Sequence, residues 1–302
     1  MSRPLDRVAL VGAGTLGSQI ALAAAEAGYE VRVFDKRPGV LDETLAGIAA
    51  ELKAKGIEPL IPWDRWAAAQ EAIIQATDMD EVVAGAELII EAVPEKLEAK
   101  RAVFAELGAK ASPEAILATN SSSIPISKIE DASGREGRCL NLHFYMILSG
   151  QNMVDIMGGS ATLPQVIETG EAFVRSLNCL PLKVHKEILG FCFNRIWRAI
   201  KKEALYTWAN GFVDFRDIDR GWRVFSGMPD GPFSFMDKIG LDVIYDIEMV
   251  YYNESKDPRD HPPKALKEMI DRGELGLKTG KGFYTYPDPE FLNPDFMNPK
   301  KQ

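Results

Sequence analysis

The sequence predicts an α/β chain in which a doubly wound, mainly parallel sheet is followed by an all-α C-terminal domain. Three observations carry this. Glycines at 12, 14 and 17 join a short apolar run to an alanine-rich one; β-prone runs then alternate with helical stretches; and beyond about Val184 the long β-prone runs disappear. Alternation of that kind builds parallel strands with helices on both faces. A chain of 302 residues is long enough for two cores, and we expect one domain over 1–185 and a helical one over 186–302.

In order along the chain, Met1 to Pro4 lead straight into a strand at 8–11. An alanine-rich helix at 18–27 and a β-prone segment at 29–34 complete one βαβ unit. Further strands are expected at 88–90, 116–118, 140–142 and 152–157, separated by helical stretches such as 96–111. Residues 188–210, 243–252 and 263–272 read as helices, and the tail over 287–302, with four prolines, as irregular. There is no internal repeat and no low-complexity tract.

A net charge of -9 and a pI near 5.1 argue against nucleic acid or an anionic membrane surface as partner, because both require clustered Lys and Arg. A small molecule is the better expectation. Cys139, Cys179 and Cys192 show no CxxC spacing, so neither a zinc site nor a disulfide framework is suggested, and the usage fits a reducing cytoplasm. No stretch reaches the roughly 18 apolar residues of a spanning helix.

Gly12-Ala13-Gly14-Thr15-Leu16-Gly17 follows a strand and opens a helix, the context in which GxGxxG binds a dinucleotide. The first glycine permits the turn, the second lets backbone approach a pyrophosphate, and the third lets the helix pack on the strand; the N–H groups of the helix start, at Thr15 and Leu16, face the phosphates. Asp35, at the end of the second strand and 21 residues beyond Gly14, can accept hydrogen bonds from the adenosine ribose. A carboxylate there repels a 2′-phosphate, which favours NAD over NADP, whereas Lys36 and Arg37 could accommodate one.

Three histidines can be weighed as proton carriers. His185, in the interdomain stretch, and His261, beside prolines, read as surface residues. His143 follows the apolar run 140–142, where a strand's C-terminal end meets the crevice in which open α/β sheets bind ligands.

At this point the sequence resembles the 3-hydroxyacyl-CoA dehydrogenase family, nearly end to end. The carriers are the glycine turn, Ile90-Glu91-Ala92-Val93-Pro94-Glu95, Thr119-Asn120-Ser121-Ser122-Ser123, His143-Phe144, Gly190-Phe191-Cys192-Phe193-Asn194-Arg195, Gly227-Met228-Pro229-x-Gly231-Pro232-Phe233 and Lys278-Thr279-Gly280-x-Gly282-Phe283-Tyr284. The resemblance implies a Rossmann-type domain followed by a helical domain that forms a homodimer, with the reaction in the cleft between domains. By position it makes His143 the general base, Asp155 the counterpart of a glutamate that orients the imidazole, and Ser122 and Asn194 the residues that hydrogen-bond the reacting oxygen. Glu95, Lys100, Asn120 and Lys278 match cofactor-contacting positions.

The chain departs from the family in three places. The family has Asn-Pro three residues after the histidine, where this chain reads Met146-Ile147. Asp155 is one methylene shorter than glutamate, about 1.5 Å, so its contact with His143 needs a shift of backbone. Glu51 and Glu58 fall near positions where the family contacts coenzyme A, unfavourable for a polyanion unless Lys53 and Lys55 compensate. Three functions therefore stand: oxidation of a short L-3-hydroxyacyl-CoA with NAD; the same chemistry on a free hydroxy acid or alcohol, with Arg223 pairing a carboxylate; or an NAD-binding protein without catalysis.

Overall fold

The computed structural model describes residues 5–298; Met1 to Pro4 and residues 299–302, the end of the proline-bearing tail, lie outside the described residues. The chain divides into two compact units, Met1–Phe193 and Asn194–Gln302.

The first unit begins with β1 (Arg7–Val11), α1 (Thr15–Glu26) and β2 (Glu30–Phe34). It continues through α2 (Val40–Ala54), α3 (Trp63–Glu71), β3 (Ile74–Gln75), α4 (Met79–Val83), β4 (Leu88–Glu91), α5 (Leu97–Lys110) and β5 (Ile116–Thr119). Then come β6 (Cys139–Phe144), β7 (Met153–Gly158), α6 (Pro164–Ser176) and β8 (Leu180–Val184). The strands form one sheet in the order β3-β2-β1-β4-β5-β6-β7-β8. Every residue of β4, β5 and β6 is buried, as parallel strands covered on both faces require. One face gathers Leu10 and Ile90 with the alanines of α1 and sets Leu140 and Ile156 against Gly170 of α6, and the other packs Ala9, Ile89 and Leu117 with Phe104 and Leu107 of α5.

Strand order reverses at β1, which pairs with β2 on one side and β4 on the other, both parallel. In such sheets the crevice beyond the strand ends at the reversal takes the ligand.

Beyond β6 the sheet changes direction. Residues 145–152 are too few for a crossover helix, so β7 returns antiparallel and pairs His143 directly with Asp155. Strand β8 then runs parallel to β7 after the α6 crossover. The 145–152 connection is anchored in the core rather than draped over it. Ile147 and Leu148 are fully buried, the Leu148 N–H donates to Gln19 Oε1 at 3.1 Å, and the Leu60 N–H donates to the Leu148 carbonyl at 3.1 Å.

The second unit carries α7 (Phe193–Ala209), α8 (Phe215–Ser226), α9 (Pro232–Ile239), α10 (Leu241–Ser255) and α11 (Lys264–Asp271), with no strand among its described residues. Its core joins Leu205, Phe233, Met236, Leu241, Ile244 and Leu266 to Phe283 and Tyr284. The tail expected to be irregular forms short 3₁₀ turns that bury Phe291 and Phe296 in this core. Two buried aspartates organise the unit. Asp219 accepts from the Phe233 and Ser234 N–H groups at the start of α9 and from Tyr284 Oη. Asp237 accepts from the Phe283 and Tyr284 N–H groups at 2.9 and 2.8 Å, and burial pushes its carboxyl up to about 6. Among the described residues no helix is long and apolar enough to cross a membrane.

Asp237→Asn turns one of two acceptors toward an N–H donor in a buried site. Thermal or denaturant unfolding should show a loss of about 1–3 kcal/mol, and a variant as stable as the parent would contradict this role for Asp237.

Candidate active site

The three glycines of the turn have different reasons for being there. A Cβ at Gly12, whose φ is +107°, would lie 2.6 Å from the Ala92 carbonyl oxygen, and one at Gly17 would lie 2.0 Å from the Gly12 carbonyl oxygen. Both are dictated by the protein's own packing. A Cβ at Gly14 would meet nothing within 4 Å, so no protein atom requires glycine there. In a GxGxxG turn the second glycine is where backbone would approach a pyrophosphate. Gly14 is also the N-cap of α1 with no side-chain cap, and no acidic residue lies in the first turn, so the helix start is free to face an anion.

Asp35 follows β2 and is half-buried. Its Oδ2 accepts from the Ala13 N–H at 2.8 Å and its Oδ1 from the Arg37 N–H at 2.9 Å. It thus ties the glycine turn to the end of β2 while its carboxylate retains lone pairs for a ribose. Lys36 and Arg37 are exposed, and the Arg37 guanidinium lies 3.9 Å from Glu43.

At the ends of β4 and β5 a buried charge pair holds the next loops. Lys100, 1% exposed, places its ammonium 2.8 Å from Glu91 Oε1, 3.2 Å from the Val93 carbonyl and 3.2 Å from Glu95 Oε2. Its three donors are accounted for within the protein. Glu95 also accepts from Ser121 Oγ at 2.6 Å and from the N–H and Oγ of Ser123 at 2.9 and 2.7 Å. Burial opposes its charge, but Lys100 and these hydrogen bonds outweigh it and hold the carboxyl below the usual glutamate value. Asn120 is buried and its Oδ1 accepts from the Phe144 N–H at 2.9 Å, fixing the residue after His143. Ser122 is exposed beside this group.

His143 is the penultimate residue of β6, at 5% exposure. Despite its missing methylene, Asp155 reaches it: the two are direct cross-strand partners, and His143 Nδ1 lies 3.1 Å from Asp155 Oδ2. With a carboxylate at Nδ1 the proton belongs on that nitrogen, leaving the Nε2 lone pair to act as a base. Asp155 also accepts from Tyr145 Oη at 2.8 Å and, more weakly, from the Cys192 N–H at 3.4 Å. Phe191 stacks on the imidazole with centroids 4.8 Å apart and planes 9° from parallel. It holds φ at +53° to do so, a conformation that costs a non-glycine residue about 1–3 kcal/mol.

The histidines read as surface residues, His185 and His261, are exposed. In the helical unit, Asn194 is the second residue of α7 and half-buried. Lys278 pairs with both oxygens of Asp242 at 2.5 and 2.6 Å and holds that carboxyl below its ordinary value. Arg223 donates to the Phe291 carbonyl at 2.8 Å, so it braces the tail. Glu51 pairs with Lys55 at 2.5 Å, Glu58 is exposed, and Lys53 sits 4.7 Å over the Trp63 ring. Sequence reading gave no role to Glu91, Tyr145 or Phe191, although Glu91 and Phe191 lie inside its motifs.

Models of the 3-hydroxyacyl-CoA dehydrogenase NAD binding domain and C-terminal domain match residues 7–188 and 190–286. The chain belongs to the 3-hydroxyacyl-CoA dehydrogenase family. A 3-hydroxybutyryl-CoA dehydrogenase of Bradyrhizobium diazoefficiens is 32% identical over 286 residues, covering 95% of this chain and 97% of the relative. The solved (S)-3-hydroxybutyryl-CoA dehydrogenase of Ralstonia eutropha superposes with a TM-score of 0.84 at 30% identity, over 94% of this chain and all of that one. A diketoreductase acting on dicarbonyl compounds superposes with a TM-score of 0.82 at 31% identity, over 95% of this chain and all of that one.

As a 3-hydroxyacyl-CoA dehydrogenase family member the chain is an NAD-dependent oxidoreductase of CH–OH groups, and the glycine turn, the bare start of α1 and Asp35 fit the cofactor. Gly14→Ala should leave the unfolding temperature within about 2 °C while weakening NAD about tenfold or more by calorimetry. Gly17→Ala should destabilise the unit outright. Equal NAD affinity in Gly14→Ala and the parent would contradict the assignment of Gly14 to the cofactor.

Proposed function

We propose that the chain oxidises the 3-hydroxyl of a short-chain L-3-hydroxyacyl-CoA to the 3-ketone, as in 3-hydroxybutyryl-CoA to acetoacetyl-CoA, with His143 as general base. The observation that carries this is the His143–Asp155 hydrogen bond at the C-terminal end of β6 in a chain of this family. NAD, which the glycine turn and Asp35 would hold, would supply the acceptor for the C3 hydride. The hydroxyl proton passes to His143 Nε2 as the carbonyl forms, and Asp155, buried at Nδ1, keeps the ring in the right tautomer and balances the imidazolium. Ser122 and Asn194 serve as hydrogen-bonding partners of the reacting oxygen. Glu95 and Asn120 position the cofactor and the loops around it; Lys100, consumed by Glu91 and Glu95, acts through Glu95; and Lys278 contributes from the helical unit.

The same-fold rival, a free hydroxy acid or alcohol, draws support from exposed Glu58 and from Lys55 being occupied by Glu51. The diketoreductase similarity points the same way. Arg223 no longer favours this rival, because its guanidinium is engaged with the tail. A domain boundary near 185, a cytoplasmic location and a homodimer complete the reading. The helical unit supports the dimer by exposing Phe225, Val224 and Phe212 at 87%, 75% and 67%.

With 3-hydroxybutyryl-CoA and NAD, the enzyme should form NADH, and His143→Gln should lower kcat about 100- to 10,000-fold with NAD affinity kept. Turnover of free 3-hydroxybutyrate in preference to its thioester would establish the rival. Light scattering should return twice the 33.4 kDa chain mass; a monomer would contradict the dimer.

A further inference from the structure

The carboxylate behind His143 is short, fully buried, and shared. Asp155 Oδ2 receives two donors, His143 Nδ1 at 3.1 Å and Tyr145 Oη at 2.8 Å, and the shorter bond is the tyrosine's. Among the described residues, the other oxygen has only the 3.4 Å contact from the Cys192 N–H. A desolvated carboxylate turns toward whichever donors it has. With two donors converging on Oδ2, the carboxyl plane is fixed in the orientation that faces the imidazole. Without the phenol the balance between Oδ1 and Oδ2 is set by two longer contacts.

Tyr145 also touches the imidazole itself, edge-on, with centroids 4.6 Å apart and planes at 61°. His143 is therefore held between the Phe191 face and the Tyr145 ring while its Nδ1 is held by an oxygen that Tyr145 holds in turn. The phenol stands in the loop where this chain departs from its family, and buried Ile147 and Leu148 pin that loop to the core.

We propose that Tyr145 is a positioning residue of the reaction: by donating to Asp155 Oδ2 it keeps the short carboxylate on His143 Nδ1, and so keeps the ring in place for proton transfer at Nε2. Tyr145 acts through Asp155. The step itself is unchanged, with the proton going to Nε2 and none to or from the phenol. The proposal rests on His143 as the base.

Tyr145→Phe keeps the ring and removes only the hydroxyl. Its kcat for NADH formation should fall about tenfold, the loss expected for one hydrogen bond to a buried charge, with KM within about twofold. In an Asp155→Asn background the same substitution should cost less than about twofold, because the group it acts through is gone. An equal loss in both backgrounds, or a loss confined to KM, would overturn the proposal. The second readout needs no substrate. The low-field Nδ1–H proton resonance of His143, assigned by its absence in His143→Gln, should shift or broaden in Tyr145→Phe with the unfolding temperature preserved. An unmoved resonance overturns the proposal even if no thioester is turned over, whereas a shifted resonance in an enzyme inactive on thioesters would count against the substrate alone.

Discussion

The connection between β6 and β7 is the constraint on which the His143–Asp155 pair depends. It spans residues 145–152, too short to cross over the sheet, so β7 must return antiparallel beside β6 in an otherwise parallel run. That return sets His143 and Asp155 face to face, where one carboxymethyl group suffices to bridge them. The same loop carries Tyr145 to the pair and sends Ile147 and Leu148 into the core, so side-chain chemistry and backbone geometry come from a single stretch of chain. The motif Gly190-Phe191-Cys192 supplies the opposite wall, and the strained φ of Phe191 is what the stacked ring and the Cys192 N–H toward Asp155 require.

Two buried ionic clusters stand at the C-terminal ends of the strands, and they differ in kind. Lys100 and Glu91 are both almost fully desolvated, and charges taken out of water repay their loss only when every donor and acceptor is met. Here they are met: Glu91 takes Lys100, the Val93 N–H and Thr119 Oγ1. This cluster is saturated and rigid, a scaffold for the loops bearing Glu95 and Ser122. The His143–Asp155 pair is not saturated in that sense, because the imidazole keeps one nitrogen uncommitted to its carboxylate. A fixed ring with a free lone pair is what proton abstraction needs.

Much of this was legible in the sequence because it depends on local pattern. The βαβ unit, the strands at 88–90, 116–118, 140–142 and 152–157, the helices around 188–210 and 243–252, and the placement of Gly14, Asp35 and His143 all follow from periodicity and short motifs. Strands β3 and β8 escaped notice for different reasons. The first is two residues long, and the second, Leu180–Val184, contains a proline and is half exposed, so neither shows a clear strand signal. Whether Asp155 reaches His143 could not be read from side-chain length alone, because it depends on the register that the antiparallel pairing sets. Lys100 matched a cofactor-contacting position in the sequence; its burial depends on Glu91, nine residues away. Tyr145 carried no sequence signal, since its partner is fixed by the turn.

The most direct test of the account is single-turnover NADH formation by Asp155→Asn at saturating NAD and 3-hydroxybutyryl-CoA. With the cross-strand carboxylate removed and the ring free to take the wrong tautomer, the rate should fall about 100-fold or more while NAD affinity stays that of the parent. A rate within about twofold of the parent would show that the pairing of β6 with β7 does not make His143 a base.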